Sequence, residues 1–322
     1  MPSYGTNVGE KFAKNVLDIF FQRAISVDIT NQDYEGEIKG GGADRLNVLT
    51  FSALSLKNYS GSAMSVDTPS ESEATLVVDQ KKAYYFQIES FAKFSSYVED
   101  PESTLIDTAG KTLARTVDSY VLGFHGDVGS GNRVGTDYTT GTVEVTVTTG
   151  AVTGNGTTFT SAMVGLGFKA TGHSVWYRVK TYTSATAIVI EDDKDDVTSA
   201  YTGGAISAGA TYIIEANTAI TVTKNTIFDY IVDVKTKLDE DEIPAEDRWI
   251  AMPAIVANLL LKSSQLQTAV STAYEDVIKK GIVGYVAGFK VYSNEQVAGN
   301  NTTGYKCLAG HKSFITMAMA FT

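Results

Sequence analysis

Three histidines, one cysteine and two acidic runs are the side chains of this sequence that could carry chemistry. His125, His173 and His311 are scattered, and none sits at metal-ligand spacing from another histidine or a cysteine. The run Glu191-Asp-Asp-Lys-Asp-Asp196 has the clustered carboxylates that suit calcium. It lacks the spacing and the central glycine of a helix-loop-helix calcium loop, and it reads instead as a solvated hairpin turn between strands. Asp239-Glu-Asp-Glu242 likewise reads as a solvated loop rather than an acid/base pair. The glycines of Gly126-Asp-Val-Gly-Ser-Gly131 have the look of a phosphate loop, but no Lys-Ser or Lys-Thr pair follows and the loop comes after a helix rather than before one. There is no Gly-x-Ser-x-Gly elbow and no Cys–His pairing. Cys307 is the sole cysteine, so no intrachain disulfide can form, and it is expected to be a small buried residue. Nothing converges on a reaction, and the sequence predicts a protein that is not an enzyme, with no metal and no cofactor.

Composition narrows the partners. The chain has 322 residues, 43% of them hydrophobic, and a net charge of −11 with pI near 4.8. That length suits about two domains. An acidic chain lacks the cationic surface that phosphate contacts need, which argues against sequence-specific nucleic-acid binding. The aromatic group Tyr84, Tyr85, Phe86, Phe91, Phe94 and Tyr97 could stack bases, but charge around it is mixed and packing is the better reading. The start, Met-Pro-Ser-Tyr-Gly-Thr-Asn, has neither the basic nor the apolar region of a signal peptide. Apolar runs such as Ile255–Leu261 are too short to span a bilayer. A soluble protein of a reducing cytoplasm, without membrane contact, is expected.

The elements that must position these residues follow from periodicity and turn chemistry. Residues 1–45 read as an N-terminal arm, with a helical stripe of Val16, Leu17, Phe20, Phe21 and Ala24 ahead of a polar stretch ending in Gly40-Gly-Gly42. Residues 46–89 read as an extended β-hairpin: strands at Leu46–Phe51, Ala74–Val78 and Ala83–Ile88, with a polar tip over Ser60–Glu73. Residues 90–131 hold a helix over 101–124, capped by Asp100 and opened by Pro101. Its apolar face is read as Leu105, Ala109, Leu113, Val117, Val121 and Phe124, with the glycines from Gly126 ending it.

The composition then changes. Residues 132–222 are rich in Thr, Gly and Val and predict a separate all-β sandwich or barrel, inserted between the halves of the surrounding fold. Five strands are expected, at Thr142–Thr148, Thr157–Thr160, Val175–Val179, Ala187–Ile190 and Tyr212–Ile214. Residues 223–322 return to mixed α and β. A helix capped by Asn225 or Thr226 carries Ile227, Ile231, Val234 and Leu238, and Pro244 confirms its end. A strand at Arg248–Met252, a helix at 254–262, a strand or hairpin at Ile282–Tyr292 and a last apolar segment at Phe314–Phe321 complete an α+β chain.

In that order the phrases resemble a known family. Leu76-Val-Val-Asp-Gln80 with Tyr85-Phe-Gln-Ile88, Ala109–Leu122 with Leu113-Ala114 and Asp118, Arg248-Trp-Ile-Ala-Met-Pro253, and Gly281–Asn294 are similar to the major capsid proteins of tailed bacteriophages, the Hong Kong 97 type of fold. The likeness covers the chain outside 132–222. Within that stretch, Gly154–Gly165 and Val175-Trp-Tyr-Arg178 resemble small β-modules of phage structural proteins. The resemblance implies an N-terminal arm, an extended hairpin loop, a spine helix and an axial domain. It implies a homo-oligomer of pentamers and hexamers that closes an icosahedral shell around double-stranded DNA, without reading its sequence. It also implies a separate scaffolding protein or none, a portal, a possible decoration protein, assembly in the host cytoplasm and residence in the virion. The family usually continues into a further strand returning to the peripheral domain, and that edge is expected to be shorter, rearranged or absent here. The Lys, Asn and Glu trio of cross-linking members is not identifiable, so assembly is expected to be non-covalent. On this reading the assembly interface draws on Phe20, Phe21, Lys57, Tyr59, Met64, Tyr85, Phe86, Trp249, Tyr285 and Phe289. The competing reading is a β-rich carbohydrate-binding or adhesion protein in which Trp176, Tyr177 and Tyr182 stack on sugar.

Overall fold

The computed structural model describes residues 14–21, 23–34, 45–51, 71–77, 80–83, 101–193, 200–263 and 284–319. The expected cap at Asp100, the tip of the hairpin, the strand over Ala83–Ile88 and the aromatic group from Tyr84 to Tyr97 lie wholly or largely outside them. The chain forms two compact units. One is Met1–Gln22, Thr30–Lys111 and Ser313–Thr322, and the other is Arg23–Ile29 and Thr112–Lys312. Helices and large sheets are both present, so the class is α+β. Among the described residues no helix is long and apolar enough to cross a membrane.

In the first unit, strand β1 (Arg45–Phe51) pairs antiparallel with β2 (Glu71–Val77), in register from Arg45↔Val77 to Phe51↔Glu71. The second strand therefore begins inside the stretch expected to be the tip. Val48 and Leu76 on one face are half-buried, while Asn47, Leu49, Glu73 and Thr75 on the other are exposed. Helical residues 14–21 pack on the first part of helix α2 (Pro101–Gly123) at Gly110. A Cβ there would lie 2.7 Å from Ile19 Cγ2, so only glycine lets the two helices approach this closely. The last apolar segment is no strand over its described residues. Asn31 N donates to Ile315 O at 2.8 Å and Met317 N to Asn31 O at 2.9 Å, an isolated parallel bridge.

In the second unit α2 continues into a 3-10 turn, Phe124–Asp127, so the glycine at 126 tightens the helix rather than stopping it. Its buried stripe is rotated from the expected one. Ala109, Ala114, Asp118, Val121 and Leu122 are buried, whereas Leu105 is exposed and Leu113 and Val117 are only half-buried. A carboxylate, Asp118, lies in that stripe.

Strands β12 (Tyr285–Val286), β13 (Phe289–Ser293), β11 (Arg248–Met252) and β16 (Leu308–His311) form a four-stranded sheet in that order, and β14 (Gly299–Asn300) pairs with β15 (Gly304–Tyr305) apart from it. Strand β11 runs parallel to β13 and antiparallel to β16, and β12 closes a hairpin on β13. The turn of that hairpin places Ala287 and Gly288 at φ 50° and 90°, the left-handed pair that a two-residue hairpin needs. All five residues of β11 are buried, as befits a central strand covered on both faces. Helices α3 (Ile227–Glu240) and α4 (Ala254–Leu261) cover one face, and Ile231, Ile250, Met252, Leu260, Phe289 and Val291 form the core between them. Thr226 stands at the cap position of α3 but makes no side-chain cap. Its hydroxyl lies 3.1 Å from that of Thr223 and accepts the Thr223 N–H instead.

Residues 136–218 form one antiparallel sheet of eight strands, in the order β3-β10-β6-β7-β8-β5-β4-β9. These are Thr136–Tyr138 (β3), Thr142–Val145 (β4), Ala151–Asn155 (β5), Gly167–Ala170 (β6), Tyr177–Ser184 (β7), Ala187–Asp192 (β8), Ile206–Ala210 (β9) and Tyr212–Thr218 (β10). Four of the five expected strands overlap these. Thr157–Thr160 is irregular, and Phe159 there plugs the core. The strands β3, β5, β6 and β9 had no expectation, because their glycines and threonines hide the alternation. Val143, Val152, Phe168, Val179, Ile190 and Ile214, from six of the strands, share one buried cluster. A single sheet that buries one face in this way curls around itself. Ile206 of the edge strand β9 accordingly packs on the cluster and approaches Gly172, beyond the end of β6.

Candidate assembly surface

Of the residues expected at an interface, the structure leaves two on the surface. Tyr285 is 76% exposed at the hairpin of the four-stranded sheet, and Phe21 is 41% exposed. Phe20 is fully buried, with its ring edge-on to Phe21 at 5.3 Å. Trp249 and Phe289 are buried at 3% and 0% exposure, because they lie on adjacent strands of one sheet covered on both faces. They are core residues and present no side chain to a neighbour. Lys57, Tyr59, Met64, Tyr85 and Phe86 lie outside the described residues. The structure adds Ile255, half exposed on α4, a helix apolar on nearly every side. A helix of that composition has more apolar surface than its own unit buries.

The carboxylate in the stripe of α2 joins three segments. Asp118 is 3% exposed. It accepts from Ser26 N at 2.9 Å, from Ile25 N at 3.4 Å and from Asn294 Nδ2 at 2.8 Å. Asn294 in turn donates its own N–H to Met252 O at 3.0 Å and accepts from Gln296 N at 2.8 Å. The short helix α1 (Ser26–Ile29) is held a second time by Asp28, which accepts from Tyr292 Oη at 3.0 Å and pairs with Lys290 at 3.2 Å. The hydrogen bond to Tyr292 raises the Lys290 ammonium, and burial pushes the Tyr292 phenol up to about 12. Two carboxylates thus tie residues 25–29 to α2 and to β13. The signal for Asp118 was legible: an acidic residue at i+4 from Ala114 and i−4 from Leu122, in phase with the apolar face.

The glycine loop after the helix binds carboxylates of its own chain. Gly131 N donates to Glu215, and Ser130 N donates to Asp193 Oδ2 at 2.6 Å. Its amides are spent internally, which accounts for the loose likeness to a phosphate loop. The acidic run is not a solvated turn over its described part. Glu191 and Asp192 are buried; Glu191 pairs with Lys180 at 2.9 Å and Arg178 at 3.3 Å, and Asp192 accepts from Thr202 N and Oγ1 at 2.8 and 2.7 Å. Asp239 of the other acidic run pairs with Lys235 and Arg248, which hold its carboxyl below the ordinary range. Cys307 is exposed rather than buried. Enough protein surrounds its sulfur to push the thiol up to about 11, yet the exposed surface decides that a reagent can reach it.

His173 is a core histidine of the eight-stranded sheet. Its Nδ1 accepts from Ala170 N at 3.3 Å, and its Nε2 lies 2.9 Å from Tyr201 Oη. Tyr201 donates to Gly204 O at 2.6 Å, so the Nε2 of His173 carries the proton and the ring is neutral. Burial first, and the charge of Lys169 second, push its ionisation below the ordinary 6.5. A base depressed in the folded state supplies stability above its unfolded value and loses it as pH falls toward the folded value. Unfolding of the sheet, followed by near-ultraviolet circular dichroism, should therefore ease as pH drops below about 6.5. The slope should flatten in His173→Gln, and an equal slope in both proteins refutes the assignment.

Of the trio suggested for sugar stacking, one ring is withdrawn into the core. Tyr177 is buried in the cluster with Tyr201, Trp176 is half-buried beneath Lys169 at 5.8 Å, and Tyr182 is 38% exposed.

No protein-family model matches the chain, and no curated protein matches it. Among solved structures it is similar to a chain of Mycobacterium phage Che8, 15% identical, with a TM-score of 0.50, covering 90% of this chain and 75% of that one. At that identity the likeness is one of fold, and the mixed α and β architecture described above is one that a phage protein shares.

Proposed function

We propose that this chain is a major capsid protein, which assembles through non-covalent contacts into pentamers and hexamers and closes an icosahedral shell around double-stranded DNA. The observation that carries the reading is the extent of the likeness to a phage chain, 90% of this protein. A likeness of that extent is too wide to rest on one common motif. The two-stranded β1–β2 hairpin supports it. A hairpin of two strands is marginal in water, and one that leaves Leu49 and Val77 exposed needs a neighbour to lie against. In the proposed shell, the arm (1–45) and hairpin (46–89) overlap adjacent subunits. The helix gives each tile its rigid length, and 223–322 with Tyr285 and Ile255 gathers around the capsomer axis. Residues 132–222 form an inserted module, and many weak contacts sum through closure. A separate scaffold, a portal and a decoration protein are the expected partners, and the acidic wall encloses DNA without reading it.

Electron microscopy of the full chain, expressed with and without its neighbouring genes, tests the proposal. Shells, tubes or capsomer rings are the expected result. A persistent monomer in the presence of every neighbouring gene product overturns it.

A further inference from the structure

The chain enters the eight-stranded sheet through 128–135 and leaves it through 219–226, and two such linkers alone would let the sheet swing. They are not alone. Glu215, on β10, is 2% exposed. One of its oxygens accepts from Arg133 Nη1 at 2.9 Å and the other from Gly131 N, so the exit strand grips the entry linker in two places. Arg133 also donates from Nη2 to Gly126 O at 3.3 Å, at the turn that ends the spine helix. From the other side, Lys237 of α3 donates to Gly131 O. Gly131 has φ +97°, and a Cβ on it would sit 2.7 Å from Trp176 Nε1. A Cβ on Gly167 of β6 would sit 2.7 Å from Glu215 Cδ, so the carboxylate has no slack. The charged groups around this point are Arg133 on the linker, Lys237 on α3 and Asp193, which holds Ser130 N from the end of β8.

We propose that Glu215, Arg133, Gly131 and Lys237 form a lock that keys the eight-stranded sheet to the spine helix and α3 at one fixed angle, and that opening it frees the sheet as an intact body. The lock does not depend on the shell reading. It makes the sheet a rigid fixture of each subunit rather than a tethered flag.

Trypsin reports on it directly, because the entry linker carries Arg133 and the exit linker Lys224. In the full-length chain, cleavage after Arg133 should be slow, since its guanidinium is engaged. In Glu215→Ala it should rise by about tenfold or more, while amides of β7 and β8 keep their hydrogen-exchange protection. Lys237→Met lies outside the sheet and cannot unfold it, and it should raise cleavage after Arg133 by a smaller factor. Small-angle scattering should show a broader distribution of distances in both variants. Unchanged cleavage in Glu215→Ala overturns the lock. Loss of β7 and β8 protection along with faster cleavage also overturns it, because Glu215 would then hold the sheet's own fold. Cleavage in Lys237→Met equal to wild type removes α3 from the lock and refutes the fixed angle.

Discussion

Asp118→Ala is expected to lower the stability of the isolated chain by about 4 kcal/mol, among the largest effects of any single substitution here. The substitution removes one acceptor from three donors: Ile25 N, Ser26 N and Asn294 Nδ2. Each donor is left in a site that water reaches poorly, at a cost of about 1–3 kcal/mol apiece. The partial independence of α1, still held by Asp28, keeps the total below the sum. Asp118→Asn preserves the shape but turns part of the acceptor into a donor facing other donors, and it should recover less than half of the loss. Urea unfolding supplies the measurement. An unfolding free energy for Asp118→Ala within about 1 kcal/mol of wild type would show that the joint is dispensable.

The second large effect belongs to Arg248. Its side chain is 2% exposed on the central strand, and it donates from Nε to Pro244 O at 2.8 Å, from Nη1 to Asp239 Oδ1 at 2.6 Å and from Nη2 to Ile243 O. The guanidinium thereby holds the loop between α3 and β11, in which Glu242 and Asp247 both take left-handed backbone at φ 56° and 51°. Non-glycine residues in that region cost about 1 kcal/mol or more each, so the loop needs an outside hold. Arg248→Met fills the volume but leaves two carbonyls without a donor, and about 3 kcal/mol of stability should go with it. Arg248→Lys keeps the charge and reaches one partner at most, because an ammonium cannot reproduce the fork. It should therefore recover only a minor part. Equal unfolding midpoints for Arg248→Lys and wild type would refute the account.

Neither residue was singled out for its role by sequence, and the reasons are physical. Apolar periodicity located α2, α3, α4 and β11 well, because each buries a face and the burial repeats at the pitch of its element. Arg248 sat inside an expected strand, but its partners are main-chain carbonyls, which carry no sequence signature. Asp118 lies in phase with the buried residues Ala114 and Leu122, yet the expected face of Leu105, Ala109, Leu113, Val117, Val121 and Phe124 took in apolar residues alone and missed it. Trp249 and Phe289 were expected at an assembly interface, and both are buried. Their burial depended on pairing between strands about 40 residues apart, which local pattern does not reveal. The eight-stranded sheet was legible as β from its Thr, Gly and Val content. Four of its strands were not, since glycine-rich strands such as Ile206–Ala210 show no alternation to read.

The outermost strand β3 is paired with the last strand β10, Tyr138 opposite Ile214 and Thr136 opposite Thr218. Neighbouring strands lie about 4.8 Å apart. The chain therefore goes into the eight-stranded sheet and comes out of it through a single narrow doorway. Whatever stands beyond that doorway can lengthen, shrink or be exchanged without moving the ends that the rest of the subunit must join. Change beyond the doorway leaves the spacing of those two ends as it is, so a foreign domain with adjacent termini could be grafted in the sheet's place, but without Glu215 its angle to the helices would no longer be fixed.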